Sequence, residues 1–138
     1  VDIHHRDKNQ RTALMWAAIA GKFTVVKYLV ENGAKVKITD NDNINVLMFA
    51  AYNGHLSVVR YLVEKRAKIN HKDKFGNTPL IDASKNGHFS VVKYLLLKGA
   101  DVYIKNNKNH SALYYAKKKK YKKKYKNITD LVQRAMKK

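Results

Sequence analysis

Apolar positions along the chain recur with a period of 33 residues. Leu14, Leu47, Leu80 and Leu113 mark one phase, and Ala17, Ala50, Ala83 and Ala116 a second. The pairs Val25-Val26, Val58-Val59 and Val91-Val92 repeat, followed by Leu29, Leu62 and Leu95 and then Ala34, Ala67 and Ala100. Polar and turn-forming residues keep the same register: Asp7, Asp40, Asp73 and Asn106; Thr12, Asn45, Thr78 and Ser111; Gly21, Gly54 and Gly87. A fixed period of this length marks a repeat architecture in which each unit is one supersecondary element.

Within each unit the pattern predicts two short helices. Thr12, Asn45, Thr78 and Ser111 are good N-caps, with Pro79 suited to a first helical position. Leu14, Ala17 and Ala18 then share one face, and the small Ala residues permit close approach to a neighbour. The turn glycines end this helix. Thr24, Ser57 and Ser90 are expected to cap the second helix, whose apolar face is Val25, Val26, Leu29 and Val30 at helical spacing. Gly33 and Gly99 end it where a left-handed residue is wanted. Arg66 stands at the equivalent place in the second unit, at a cost of about 1 kcal/mol or more. An extended stretch (34–39) and a turn built on Asp40-Asn41-Asp42-Asn43 complete the unit. Neither helix can bury its apolar face alone, so the units must stack. The expected fold class is therefore an all-α repeat protein, a solenoid of helix-turn-helix units joined by β-hairpin loops. Residues 7–39, 40–72 and 73–105 are three units, and 1–6 are the tail of a preceding one, because Val1-Asp2-Ile3 aligns with Ala34-Lys35-Val36. Residues 106–138 form a divergent Lys-rich C-terminal capping unit: Lys120 replaces the turn glycine, and the second-helix pattern returns at Asn127-Ile128 through Leu131-Val132 after about a three-residue insertion.

The run Asp73-Lys74-Phe75-Gly76-Asn77-Thr78-Pro79-Leu80, then Ala83, Asn86-Gly87-His88, Val91-Val92-Lys93-Tyr94-Leu95-Leu96 and Gly99-Ala100-Asp101-Val102 closely resembles the ankyrin-repeat consensus. The resemblance extends over nearly the whole chain. It implies a non-catalytic scaffold, monomeric in its own right, that binds another protein on the hairpin tips and the exposed stripe of the first helices. His55 and His88 fall where such units place a structural histidine. The chain departs from the family at Met15, Met48, Ile81 and Tyr114, where a histidine that hydrogen-bonds between units is usual. Apolar packing is expected to substitute.

Composition narrows the functional classes. With no cysteine there is no disulfide and no Cys-ligated zinc, and a reducing intracellular compartment, cytoplasm or nucleus, is the easier fit. A secreted, host-directed effector is a further expectation. No run of about 18–20 apolar residues is present to span a bilayer. No Cys nucleophile, no glycine-rich phosphate loop, no paired carboxylates at useful spacing and no helical ligand spacing at His4-His5 is visible, so no catalytic residue, metal or cofactor is expected. The net charge is +19, and residues 106–138 hold 12 Lys/Arg against one acid. A field of that sign favours acidic partners, although the abundance of Lys, Asn, Ile and Tyr also fits an A/T-rich coding bias.

The register assigns a candidate partner-binding face. Trp16, Phe49, Asp82 and Tyr115 are equivalent, and Tyr52 and Lys85 lie three residues beyond their counterparts on the same helix side. Hairpin tips add Arg11, Lys74 and Phe75. Trp16, Phe49 and Tyr115 have two readings, as an exposed aromatic track or as side chains buried between first helices. Tyr52 and Phe75 point to binding, since exposed aromatics enrich at interface hot spots. A second candidate is the basic patch of Lys117, Lys118, Lys119, Lys120, Lys122, Lys123, Lys124 and Lys126. There Tyr121 and Tyr125, four apart, would share a helix face. Such a run fits nucleic acid or an anionic membrane surface, or simply a solvated cap. The expectation is thus a protein–protein interaction module with an acidic partner and no small-molecule substrate. The alternatives are an anionic-polymer or membrane binder, or the targeting region of a larger enzyme or effector.

Overall fold

A computed structural model describes residues 2–137. The described residues form eight helices in four antiparallel pairs: α1 (Ala13–Ala20) with α2 (Phe23–Glu31), α3 (Val46–Tyr52) with α4 (Leu56–Glu64), α5 (Pro79–Lys85) with α6 (Phe89–Leu97), and α7 (Ala112–Lys118) with α8 (Lys123–Met136). The first helices pack in one layer, α1 on α3 on α5 on α7, and the second helices in another, α2 through α8. This is the all-α solenoid the periodicity implies. The hairpins contain no strands among the described residues, only a single antiparallel bridge between Thr39 and Asn45.

Each first helix begins as expected. The side-chain oxygens of Thr12, Asn45, Thr78 and Ser111 accept the backbone N–H three residues on, at 2.9–3.3 Å, meeting one of the four donors a helix start leaves unpaired. The second helices differ from the sequence expectation. Thr24, Ser57 and Ser90 do not cap them but lie inside the first turn. The cap positions are Lys22, His55 and His88, none with a side-chain cap bond. The reason lies one residue earlier. Gly21, Gly54 and Gly87 take left-handed conformations (φ 72°, 74° and 76°), which bring the chain into the next helix at once. The freed His side chains then serve another purpose: the Nε2 atoms of His55 and His88 donate across the unit boundary to the carbonyls of Ile19 and Tyr52, both at 2.9 Å. Room for this comes from the preceding unit's glycine. A Cβ on Gly21 would lie 2.5 Å from the His55 ring, and one on Gly54 2.4 Å from that of His88.

Core packing follows the period except in α2, where Val25 is 47% exposed and Leu29 and Val30 are only partly buried, because that helix has no second helix on its outer side among the described residues. Val26, Val58, Val59, Leu62, Val91, Val92 and Leu95 are all sealed from solvent, as are Leu14, Leu47 and Leu80 on the facing layer. Met15, Met48 and Ile81 each retain 1% exposure, so apolar packing does fill the positions where the family places histidine. Tyr114, at the same position in the last unit, stays exposed and stacks on His110 at 3.6 Å.

The last pair keeps the docking scheme with different chemistry. Tyr125 is buried, and its hydroxyl donates to the Lys85 carbonyl at 3.3 Å, reaching back 40 residues where His55 and His88 reach back 36. The insertion is therefore four residues. Tyr121 lies in the turn before α8 and is 79% exposed, so Tyr121 and Tyr125 do not share a helix face. One has become a core residue and the other stands alone on the surface.

Two substitutions test this account. Arg66 holds φ 68° at the position where Gly33 and Gly99 have open space beyond their Cα. Arg66→Gly should therefore stabilise the chain by about 1 kcal/mol in urea denaturation. Gly54→Ala, which meets both the positive φ and the His88 ring, should destabilise it by about 2 kcal/mol or more.

Candidate functional site

Four structurally equivalent Asx residues organise the hairpins. One side-chain oxygen of Asp7 accepts the N–H groups of Asn9 and Arg11; Asp40 takes Asp42 and Ile44, Asp73 takes Phe75 and Asn77, and Asn106 takes Lys108 and His110, all at 2.8–3.0 Å. This Asx geometry fixes each turn. Backbone bonds then tie tip to tip: Asn41 N–H to the Asn9 carbonyl, Lys74 to Asp42 and Asn107 to Phe75, at 2.9–3.0 Å.

The second terminal atom of each Asx residue has its own partner in three of the four units. Asp7 Oδ2 accepts from Trp16 Nε1 at 3.1 Å. Asp40 Oδ2 pairs with Arg11 Nε at 3.3 Å. Asn106 Nδ2 donates to the Tyr115 hydroxyl at 2.8 Å and to Asn77 Oδ1 at 2.9 Å. In the third unit both suppliers are missing. Asp82 stands at the Trp16 and Tyr115 position and Ile44 at the Arg11 position, so no donor among the described residues reaches Asp73 Oδ2. The Asp82 carboxylate likewise has no hydrogen-bond donor or ion-pair partner, although the residue retains only 6% exposure. Burial, with the charge of Asp73 beside it, pushes the Asp82 carboxyl up to about 8 despite the opposing pull of Lys85. Burial also raises Asp73, against its two backbone hydrogen bonds.

These two carboxyls look into a concavity of about 400 Å³ between the second and third units, walled by Ile19, Ile44, Phe49, Tyr52 and Phe75. Arg11 closes one edge, its guanidinium over both the Trp16 and Phe49 rings at 5.2 and 5.0 Å. Of the residues singled out from sequence, Arg11, Phe49, Tyr52, Phe75 and Asp82 converge here. Phe49 is 8% exposed and forms the floor, whereas Tyr52 and Phe75 are each half-exposed walls. The others lie outside. Trp16 is half-exposed beyond Arg11 and tied to Asp7. Lys74 pairs with Asp42 at 3.6 Å and lies over Phe75. Lys85 lies over Tyr115 at 5.2 Å. Sequence reasoning missed Asp73, which served there only as a repeat marker. The available signal was its nine-residue offset to Asp82, the spacing that joins Asp7 to a donor.

The basic patch is dispersed. Lys117 and Lys118 end α7, Lys119, Lys120 and Lys122 lie in the turn, and Lys123, Lys124 and Lys126 start α8; all eight are exposed. Lys119 and Lys124 lie over the buried Tyr125 ring at 5.5 and 5.3 Å. No helix among the described residues is long and apolar enough to cross a membrane.

A stack of paired helices with hairpin tips and one lined concave face defines a repeat interaction module. The chain belongs to the ankyrin-repeat family: the model for ankyrin repeats (three copies) matches residues 1–73 and 47–134. It is also similar to the probable palmitoyltransferase AKR2 of Saccharomyces uvarum, 51% identical over 45 residues. That match takes in 33% of this chain and 6% of the yeast protein, so it is confined to a small part of that much longer relative.

Asp82 gives a pH prediction. Its carboxyl binds a proton more tightly folded than unfolded, so folding favours the neutral form, and the contribution of Asp82 to stability is lost as pH rises from about 4 through 8. Asp82→Asn should flatten that decline. By pH 9 its Tm should exceed that of the parent chain by on the order of 5 °C, with little difference at pH 4, in thermal unfolding followed by circular dichroism.

Proposed function

We propose that the chain binds an extended segment of another protein across its concave face, centred on the concavity between the second and third units, and that it does so without catalysis. One observation carries the reading: Tyr52 and Phe75 stand half-exposed on either side of an apolar floor, on rigid helix and hairpin supports. Half-exposed aromatics held by a pre-ordered scaffold lose little conformational entropy on association and are suited to be hot spots. The partner segment combines apolar and acidic residues. Its apolar groups seat against Tyr52 and Phe75. Its acids meet the exposed ammonium of Lys74, that of Lys85, and the overall field of a chain with net charge +19. The basic patch contributes long-range steering, its eight exposed lysines lying on a turn and two helix ends, three of them (Lys117, Lys120 and Lys126) beside a shallow concavity with Tyr121. The partial likeness to a probable palmitoyltransferase is compatible with such a module lying within a larger enzyme, where it would select that enzyme's protein partners.

A displayed library of random dodecapeptides tests the reading. Selection on the parent chain should enrich binders, and fluorescence anisotropy with synthetic copies should show at least a tenfold loss of affinity for Tyr52→Ala combined with Phe75→Ala. Equal binding by that double variant would move the interface elsewhere.

A further inference from the structure

The third unit breaks a rule the other three obey. In those units the outward atom of the hairpin Asx residue is satisfied from within the chain, by an indole, a guanidinium or a phenol. In the third, two carboxyl groups face the concavity with no donor between them. Asp82 is more than nine-tenths buried and unpartnered, and it lines the cavity wall. A buried carboxyl without hydrogen bonds is costly, and removing its charge by protonation is only a partial remedy. Around the two acids the walls are aromatic and aliphatic: Phe49, Tyr52 and Phe75 offer ring faces, and Ile19 and Ile44 offer apolar contact. The chain itself shows what fits such a setting. One unit earlier, the Arg11 guanidinium bonds Asp40 Oδ2 while lying over the Phe49 ring.

We infer that the concavity between the second and third units receives an arginine side chain from the bound protein segment, whose guanidinium supplies Asp73 and Asp82 with the donors their unit lacks and lies against Tyr52 and Phe75. This deepens the peptide-binding reading above and rests on it. Arginine fits better than lysine because its planar fork can serve two carboxylates at once, it is the less strongly hydrated cation, and it stacks on ring faces. The segment is then an arginine flanked by acidic and apolar residues. The arginine meets Asp73 and Asp82, and its neighbours meet the basic surroundings. The mixed charge also gives selectivity: a wholly basic segment is repelled by the molecule's field, and a wholly acidic one leaves the pair of carboxyls unsatisfied.

The test uses the full chain and two fluorescent decapeptide pools, degenerate in acidic and apolar residues, with arginine fixed at the centre of one and the isosteric neutral citrulline at the centre of the other. Anisotropy should show the arginine pool binding at least tenfold tighter. Asp82→Tyr installs the donor-bearing residue type found at position 115, so it should fold with an unchanged or raised Tm and abolish the preference for arginine. Asp82→Asn, which keeps the shape, should reduce that preference strongly and serves in place of Asp82→Tyr if the larger residue unfolds the chain. Equal binding of the two pools, or an arginine preference untouched by both variants, overturns the inference. If selected peptides lacking arginine bind through Tyr52 and Phe75 while neither pool does, the inference fails and the peptide-binding reading stands. If no peptide binds in a way that depends on Tyr52 and Phe75, both fall.

Discussion

Each unit depends on being next to another. A first helix of seven or eight residues is too short to be stable by itself, and its Leu and Ala face has no cover except the neighbouring first helix and the second helix behind it. The junction is held by a paired constraint: a glycine that carries no Cβ and a ring from the following unit that occupies the vacated space and donates to a carbonyl. His55 over Gly21 and His88 over Gly54 share this geometry. Apolar burial supplies the attraction between units, and the ring-to-carbonyl bond fixes their register. Without the register, the Asx turns of successive hairpins would not align, and the tip-to-tip backbone bonds could not form.

The concave surface follows from that alignment. Because equivalent positions in successive units superpose, a change at one position in one unit becomes a local departure in an otherwise regular row. Asp82 is such a departure. In a lone helix it would be an ordinary solvated acid near a helix start, favourable to the dipole. In the row it lies beside Asp73, largely buried and without a donor, and its carboxyl is pushed far above its usual range. The repeat has converted an ordinary polar residue into a group whose proton affinity is set by burial and a neighbouring acid.

Most of the architecture was legible in the period alone, because stacking forces every unit to reuse the same positions for the same purpose. Four N-caps, the left-handed Gly33, Arg66 and Gly99, and the Met15, Met48 and Ile81 core all follow from it. What escaped were features set by contacts between units rather than within them. Thr24, Ser57 and Ser90 look like caps locally, but the preceding glycine fixes the helix start earlier. Tyr121 and Tyr125 look like a helical pair until the four-residue insertion sends one into the core. Asp73 looks like a turn residue, and only its spatial partner reveals an unsatisfied oxygen. The residues of the candidate site were mostly named from sequence, but their grouping into one concavity with Lys74, Lys85, Trp16 and Tyr115 outside it needed three dimensions.

The use of a phenol in place of an imidazole at the last junction makes the seams of the stack chemically unequal. Burial holds the His88 imidazole, wedged over Gly54, below its ordinary proton affinity, against the pull of its bond to the Tyr52 carbonyl. Proton uptake by that ring therefore draws on the seam between the second and third units, whereas the last seam presents the Tyr125 phenol in the same place. Two opposite proton linkages thus meet in the middle of the stack, since acid favours release of the His88 ring but also favours the folded, protonated Asp82, while the terminal junction rests on a phenol.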